Sequence, residues 1–360
     1  MDFASDNAAA VAPAIMDAVV CANTGFAIAY GDDALTRRIE RRFSELFERE
    51  VAVFLVSTGT AANALALAHL SPPWGAVLCH SEAHAIVHEC GAPEFFGGGL
   101  RLVGIEGDGG KLQPEAILAA LDRHFGLRPH QIVPAALSLT QASECGTVYQ
   151  IDEIAALAAL AHERGMAVHM DGARFANAVA RLDVTPAEVT WRAGVDVLSF
   201  GATKGGALAA EAVVFFDPAR AEAMAERRKR GGHLVSKHRF LAAQFEAFLT
   251  GNQWLKLAAQ ANHMADRLAM HLAGVNLKPV WPVDANMVFV QLPQALHERL
   301  QAAGAHYYVI HSDPPPYPPP LAGAGREGVP SGHVLVRLVT SFATTESSVD
   351  NFISLVKSTY

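Results

Sequence analysis

The chain has 360 residues, 51 % of them hydrophobic, enough to bury a large core and long enough to suggest two domains. Its 28 Lys and Arg against 36 Asp and Glu give a net charge of −8, which excludes a nucleic-acid binder that depends on neutralising phosphates. Cys21, Cys79, Cys90 and Cys145 form no Cys-x-x-Cys pair and read as reduced thiols, and no apolar run reaches membrane-spanning length.

The N-terminus, Met1-Asp2-Phe3-Ala4-Ser5-Asp6, lacks the basic and then apolar stretch of a signal peptide, so the expected location is the cytoplasm. Thr36 to Arg49 places Ile39, Phe43, Leu46 and Phe47 on one face of an amphipathic helix. Strands are predicted near 51–56, 76–80, 101–105, 132–139, 167–171, 195–200 and 212–216, and the first four alternate with helical stretches. That alternation implies a mostly parallel α/β sheet covered by helices. Arg227 to Arg230 reads as the exposed end of a helix beginning near Pro218. After Asn252 the pattern changes: a helix from Gln253 to about Ala273 leads into strands near 286–292, 305–311 and 333–339, with a helix over 293–303. Residues 1–252 thus form an N-terminal arm and large domain, and 253–360 a smaller C-terminal α+β domain. The run from Ser312 through Pro320, continuing to Gly332, is rich in Pro and Gly and is the least complex part of the chain, which has no internal repeat.

Lys204 is the most informative residue. It follows an apolar run ending at Phe200, and Asp171 ends an earlier one, Ala167-Val168-His169-Met170-Asp171. Both groups then stand at the carboxyl edge of the sheet, where α/β folds collect ligands. A lysine amine can form a Schiff base with pyridoxal phosphate, and a buried carboxylate can keep the pyridine nitrogen protonated. Gly201, Ala202, Gly205 and Gly206 allow close approach of backbone and cofactor, although a plain turn also needs glycine. A third element is Ser57-Thr58-Gly59-Thr60, set between a short apolar strand and an alanine-rich helix: a turn and helix N-terminus that present N–H donors to a phosphate. It is no Walker loop, and Gly97-Gly98-Gly99 lacks dinucleotide spacing.

In order, Ser5-Asp6-Asn7, Tyr30-Gly31-Asp32-Asp33, Ser57 to Thr60, His84 with Glu89, Asp171-Gly172-Ala173-Arg174, Lys204 and Arg337-Leu-Val-Thr-Ser resemble the L-threonine aldolases, fold-type I pyridoxal phosphate lyases grouped with the β-eliminating lyases. Ser199 to Lys204, Ser138 to Ser143 and Arg227 to His233 are similar to the branch of low-specificity threonine and phenylserine aldolases. The resemblance implies an aspartate aminotransferase-like large domain with a smaller C-terminal one. It implies a homodimer or homotetramer with the site at a subunit interface. The activity it implies is cleavage of a 3-hydroxy-α-amino acid (threonine, allo-threonine or phenylserine) into glycine and an aldehyde.

By the same resemblance, Lys204 carries the cofactor, Asp171 faces the pyridine, and His84 stacks on the ring and takes a proton from the substrate hydroxyl. Gly59 and Thr60 hold the phosphate, with Thr203 beside them. Ser5, Tyr30, Arg174 and Arg337 serve the substrate, and His130 is a second histidine at the aldehyde side. Arg228 would supply an anion contact near an entrance shared between subunits. Where many relatives have tyrosine this chain has His88, and where many have Leu-Glu-Asn-Thr-His it has Leu139-Thr-Gln-Ala-Ser143. Both departures bear on substrate preference and on the general base.

Other readings compete. His80, His84 and His88 recur every four residues, as metal ligands on one helix would, but His80 closes a predicted strand. A transaminase, a racemase or a β-eliminating lyase would use the same Lys204 and Asp171. A silent binding protein on this scaffold would need neither, nor Arg174 and Arg337.

Overall fold

The computed structural model describes residues 1–312 and 332–359, so the proline-rich segment from 313 to 331 lies outside the described residues. Seven strands form the larger sheet: β1 (Ala52–Val56), β2 (Gly75–His80), β3 (Arg101–Ile105), β4 (Val133–Thr140), β5 (Ala167–Gly172), β6 (Val197–Gly201) and β7 (Glu211–Phe215). Their order is β1-β7-β6-β5-β4-β2-β3, and only the two pairings of β7 are antiparallel. Strands β2, β5, β6 and β7 are buried along their whole length, so their sequences run apolar without alternation.

The helix Ala34–Leu46 buries Ile39 and Phe43, and Phe47 follows at its end. The Phe43 ring meets Phe200 and Phe245 edge-on at 5.3 Å each, packing the helix onto β6. The helix Gly59–Leu70 is buried from Ala61 to Ala68, on every side, because alanine and leucine fill that stretch. Asn63 is the one polar side chain within it. The long helix Gln253–Ala273 serves two cores: Trp254 and Ala258 pack with the large sheet, while Met264, Leu268 and Leu272 pack with the small one.

The small sheet is antiparallel, ordered β8-β10-β9, with β8 (Met287–Pro293), β9 (Tyr308–Ser312) and β10 (His333–Val339). The chain's first residues belong to it. Phe3 donates its N–H to His306 O and accepts from Val339 N, both at 2.8 Å, and its ring lies 5.2 Å from Phe352. This attachment carries Ser5 and Asp6 to the carboxyl edge of the large sheet.

One predicted helix is different. Residues 218–221 form a separate turn, and the helix bearing the basic run is Met224–Arg230, because Ala223 takes a left-handed φ of 63° and breaks the chain direction between them.

Candidate active site

A cleft of about 1450 Å³ opens over the carboxyl ends of the parallel strands, with the small sheet as its other wall. Ser5, Gly59, Thr60, His84, His88, Glu89, Asp171, Arg174, Thr203, Lys204 and Arg337 all line it. The loop after β6 passes close to the one after β5. A Cβ at Gly201 would lie 2.8 Å from Ala173 Cα, so glycine is required where the two segments touch.

Lys204 lies among charges. Burial lowers its pKa, as does Arg174, against the pull of Asp6, Asp171 and Glu211. The net shift is downward, which increases the neutral, nucleophilic amine at a given pH. Asp171 receives Asn63 Nδ2 on Oδ2 at 2.7 Å and Ala173 N on Oδ1 at 3.0 Å. The other hydrogen of the same Asn63 amide goes to Glu89 Oε1 at 2.8 Å, and that oxygen also meets His84 Nδ1 at 2.9 Å. A continuous chain therefore links Asp171, Asn63, Glu89 and the His84 imidazole. Burial raises the Glu89 pKa, as does the charge of Asp171, while the bonds from His84 and Asn63 oppose the rise.

Glu144 supports the same histidine from the backbone side. Its Oε1 accepts from His84 N and Thr140 Oγ1, each at 2.9 Å. Burial, then the repulsion of Asp171, pushes its pKa up to about 7. His88 lies with its ring 5.5 Å from that of His84, and its pKa is lowered by burial, His84 and Arg337.

The anion-binding groups divide unequally. Arg174 was expected to bind substrate carboxylate, yet its Nε and Nη2 already fork onto Asp6 at 2.7 and 3.0 Å. Burial raises the Asp6 pKa, but Arg174 and Lys204 outweigh it and hold the carboxyl below its usual value. Arg337 instead has a buried Nε without a hydrogen-bond partner, and its guanidinium lies 5.3 Å from the Tyr308 ring centroid. An orphaned buried donor facing the cleft suits an anionic ligand.

At the other end, Thr58 caps the helix Gly59–Leu70, its Oγ1 accepting from Ala61 N at 3.1 Å. The N–H groups of Gly59 and Thr60 precede the first intrahelical bonds and are available to a phosphate. The Thr203 hydroxyl is engaged, accepting from Ala210 N at 3.2 Å and bonding to Glu211. These donors, a lysine with a depressed pKa and a carboxylate fixed by Asn63 fit the phosphate, aldehyde and pyridine of pyridoxal phosphate.

Two expected residues stand elsewhere. Tyr30 is outside the cleft, 49 % exposed, with Lys229 Nζ 4.5 Å from its ring centroid. His130 lies in the exposed loop before β4, at the amino edge of the sheet, whereas Lys204 follows the carboxyl end of β6. A strand of eight residues spans about 26 Å, so His130 cannot act on the Lys204 of its own chain. Arg228 donates to Leu55 O at 3.2 Å and lies 5.5 Å from the Phe54 ring centroid. The histidine stripe does not share a helix: His80 ends β2 and bonds Gly107 O, and the helix is His84–Val87. Among the described residues no cluster of His, Cys, Asp and Glu is placed to hold a metal.

Sequence reasoning left Asn63, Glu144 and Glu211 without roles. The available signal was a polar or charged side chain inside an apolar run, as in Ala61-Ala62-Asn63-Ala64-Leu65 and Glu211-Ala212-Val213-Val214.

Behind Asp171 on β5, His169 is fully buried, its ring bonded to Ser138 Oγ at 2.8 Å and Ser199 Oγ at 2.9 Å. Burial lowers its pKa from 6.5 to about 4. The unfolded chain therefore binds a proton that the folded chain refuses between those values. The associated stability is complete above pH 6.5 and declines toward pH 4, by about 3 kcal/mol in all. Urea unfolding at pH 7 and 4.5 should show that extra loss in wild type and not in His169→Gln; equal losses in the two proteins would contradict it.

The model of the beta-eliminating lyase family matches residues 2–295, and the chain belongs to that family. It is 43 % identical to the low specificity L-threonine aldolase of a Pseudomonas species, over 86 % of this chain and 89 % of that protein. The protein of the same name from Pseudomonas aeruginosa is 44 % identical, over 86 % and 89 %. Among solved structures, the threonine aldolase of Leishmania major superposes with a TM-score of 0.89 at 28 % identity, covering 99 % of this chain and 98 % of that one. The serine palmitoyltransferase of Sphingomonas wittichii, at 16 % identity and a TM-score of 0.70 over 100 % and 86 % of the two chains, shares the fold. The fold is thus the fold-type I arrangement, and the cofactor is pyridoxal 5'-phosphate.

Proposed function

We propose that this chain cleaves an L-3-hydroxy-α-amino acid at the Cα–Cβ bond, giving glycine and an aldehyde, the reaction named by its Pseudomonas and Leishmania relatives. The observation that carries the reading is the convergence of Lys204, Asp171, the His84–Glu89 pair and Arg337 on one cleft.

Lys204 would hold pyridoxal phosphate here, Asp171 would serve its pyridine nitrogen, and Gly59 and Thr60 would take its phosphate; the bound group would supply electron withdrawal from the substrate Cα. Arg337, whose Nε is otherwise unpaired, takes the substrate carboxylate, and Ser5 stands beside it on the cleft wall. Arg174, committed to Asp6, adds positive charge rather than a free fork. Fixing the carboxylate orients the substrate Cα and so would select which of its bonds breaks. Glu89 binds His84 Nδ1, leaving Nε2 free toward the cleft to take the β-hydroxyl proton. The same imidazolium would then return that proton to Cα.

The enzyme is read as cytoplasmic and as a homodimer or homotetramer. Support for the assembly comes from the exposed Phe26, Ile28 and Tyr30, large side chains left uncovered in a single chain. His130 reaches a site only across such an interface.

The test is release of aldehyde and glycine from the cofactor-loaded protein given L-threonine, L-allo-threonine or L-phenylserine. Equimolar products are expected. Pyruvate with ammonia, or amino transfer to a keto acid, would replace this reading with β-elimination or transamination on the same residues.

A further inference from the structure

Glu211 is a buried carboxyl that the reaction above leaves unused. It opens β7, which runs antiparallel between β1 and β6, so it stands at the same edge as the carboxyl ends of both. Its register partners are Val56 on β1 and Gly201 on β6. Ser57, Thr58, Gly59 and Thr60 continue from the first, Ala202 and Thr203 from the second, and neighbouring strands lie only about 5 Å apart. The carboxyl therefore sits between the two segments assigned to the cofactor phosphate and lines the cleft with them. Its Oε2 accepts from Ala202 N at 3.1 Å, and the Thr203 hydroxyl bonds to it.

We propose that Glu211 is part of the cofactor-phosphate site and occupies it as the neutral acid, so that binding of pyridoxal phosphate takes up one proton at this side chain. The inference rests on the reading of Gly59 and Thr60 as the phosphate cup. Two anions sharing a buried site cannot both stay ionised at little cost, and the buried carboxyl, at about 7, holds its proton more tightly than the phosphate holds its second one, at about 6. The charged group facing Glu211 is Lys204; the segment after β1 offers neutral Ser57 and Thr58, and Gln244 of the helix Arg239–Leu249 is bonded to the N–H groups of Leu208 and Ala209. Burial already pushes the carboxyl up to about 7, with Thr203 and Lys204 only partly opposing. A phosphate dianion moves it further the same way. The balance is simple: the carboxylate gains a proton from solvent, and the resulting O–H is free to donate to a phosphate oxygen.

Dissociation constants of pyridoxal phosphate and of pyridoxal, for wild type and Glu211→Gln between about pH 6 and 9, test this. The neutral amide mimics the acid. Wild-type affinity for pyridoxal phosphate is expected to fall, relative to the variant, by up to about tenfold per pH unit above 7. Pyridoxal should show no such divergence. Ionisation of the phosphate itself occurs in both proteins, and a shift at Lys204 on removal of Glu211 acts on both ligands alike, so the comparison with pyridoxal removes it. A second measurement needs wild type alone: at pH ~8, binding pyridoxal phosphate should take up nearly one proton more than binding pyridoxal. Parallel pH profiles for the two proteins, or equal proton uptake from the two ligands, overturn the proposal while leaving the cup in place. Equal wild-type affinity for pyridoxal and its phosphate overturns the cup reading and this one with it.

Discussion

Lys204→Ala is expected to abolish multiple turnover, lowering the rate by about 10⁴-fold or more, and to remove the visible absorbance of lysine-bound cofactor. In the proposed mechanism the amine is the nucleophile that holds and later recovers the cofactor. Its depressed pKa comes from burial and Arg174, and no other amine is among the groups lining the cleft. Charge is a separate contribution, since Asp6, Asp171 and Glu211 all face this lysine. Lys204→Arg separates the two effects: it keeps the positive charge, while a guanidinium does not deprotonate to act as a nucleophile. Both variants should be equally inactive, and the arginine form should retain more of the wild-type folding stability. Sustained turnover by either one would remove Lys204 from the centre of the mechanism.

The strands, and the placement of Asp171 and Lys204 at the cleft, were legible in the sequence for a local reason. Asp171 and Lys204 each follow an apolar run, and a run of that length buried on both faces can only be an inner strand. What could not be read were contacts that the fold makes between distant positions. Asn63 reaches Asp171 across 108 residues, and Arg174 reaches Asp6 across 168. The free arginine could not be told from the paired one, because Arg174 and Arg337 differ only in what the fold sets against them. Ser5-Asp6-Asn7 marks the N-terminus as part of the site, but the reason it arrives there is Phe3, whose burial against Phe352 and β10 ties the first residues to the small sheet. His130, expected at the aldehyde side, lies instead before β4 at the amino edge of the sheet, because a loop residue's side of the sheet depends on which end of the strand it joins. The helix expected from Pro218 failed at one residue, Ala223, whose left-handed backbone no propensity for alanine would forecast.

Asp171→Asn should lower kcat by about 10³-fold while changing KM by less than about threefold. The substitution preserves size and position, so substrate contacts at Arg337 and Ser5 remain. In the proposed mechanism the lost element is the negative charge that would keep the pyridine nitrogen protonated, which matters when electrons leave Cα and much less when substrate merely binds. The change also propagates along the hydrogen-bond chain. Repulsion from Asp171 is one of the causes holding the Glu89 pKa up, and its removal drops that pKa, since the bonds from His84 and Asn63 already favour the ionised form. Glu89 then stays a carboxylate to lower pH. If Glu89 must be ionised to hold His84 Nδ1, the acid limb of the variant's rate profile should move to lower pH. Two separate readouts follow from one substitution: a fall in kcat without a matching rise in KM, and a displacement of the acid limb to lower pH. A variant with near wild-type kcat would show that the ring does not depend on this carboxylate. A fall in kcat without the displacement would confine Asn63 to holding Asp171 in place, with no electrostatic link through Glu89 to the histidine.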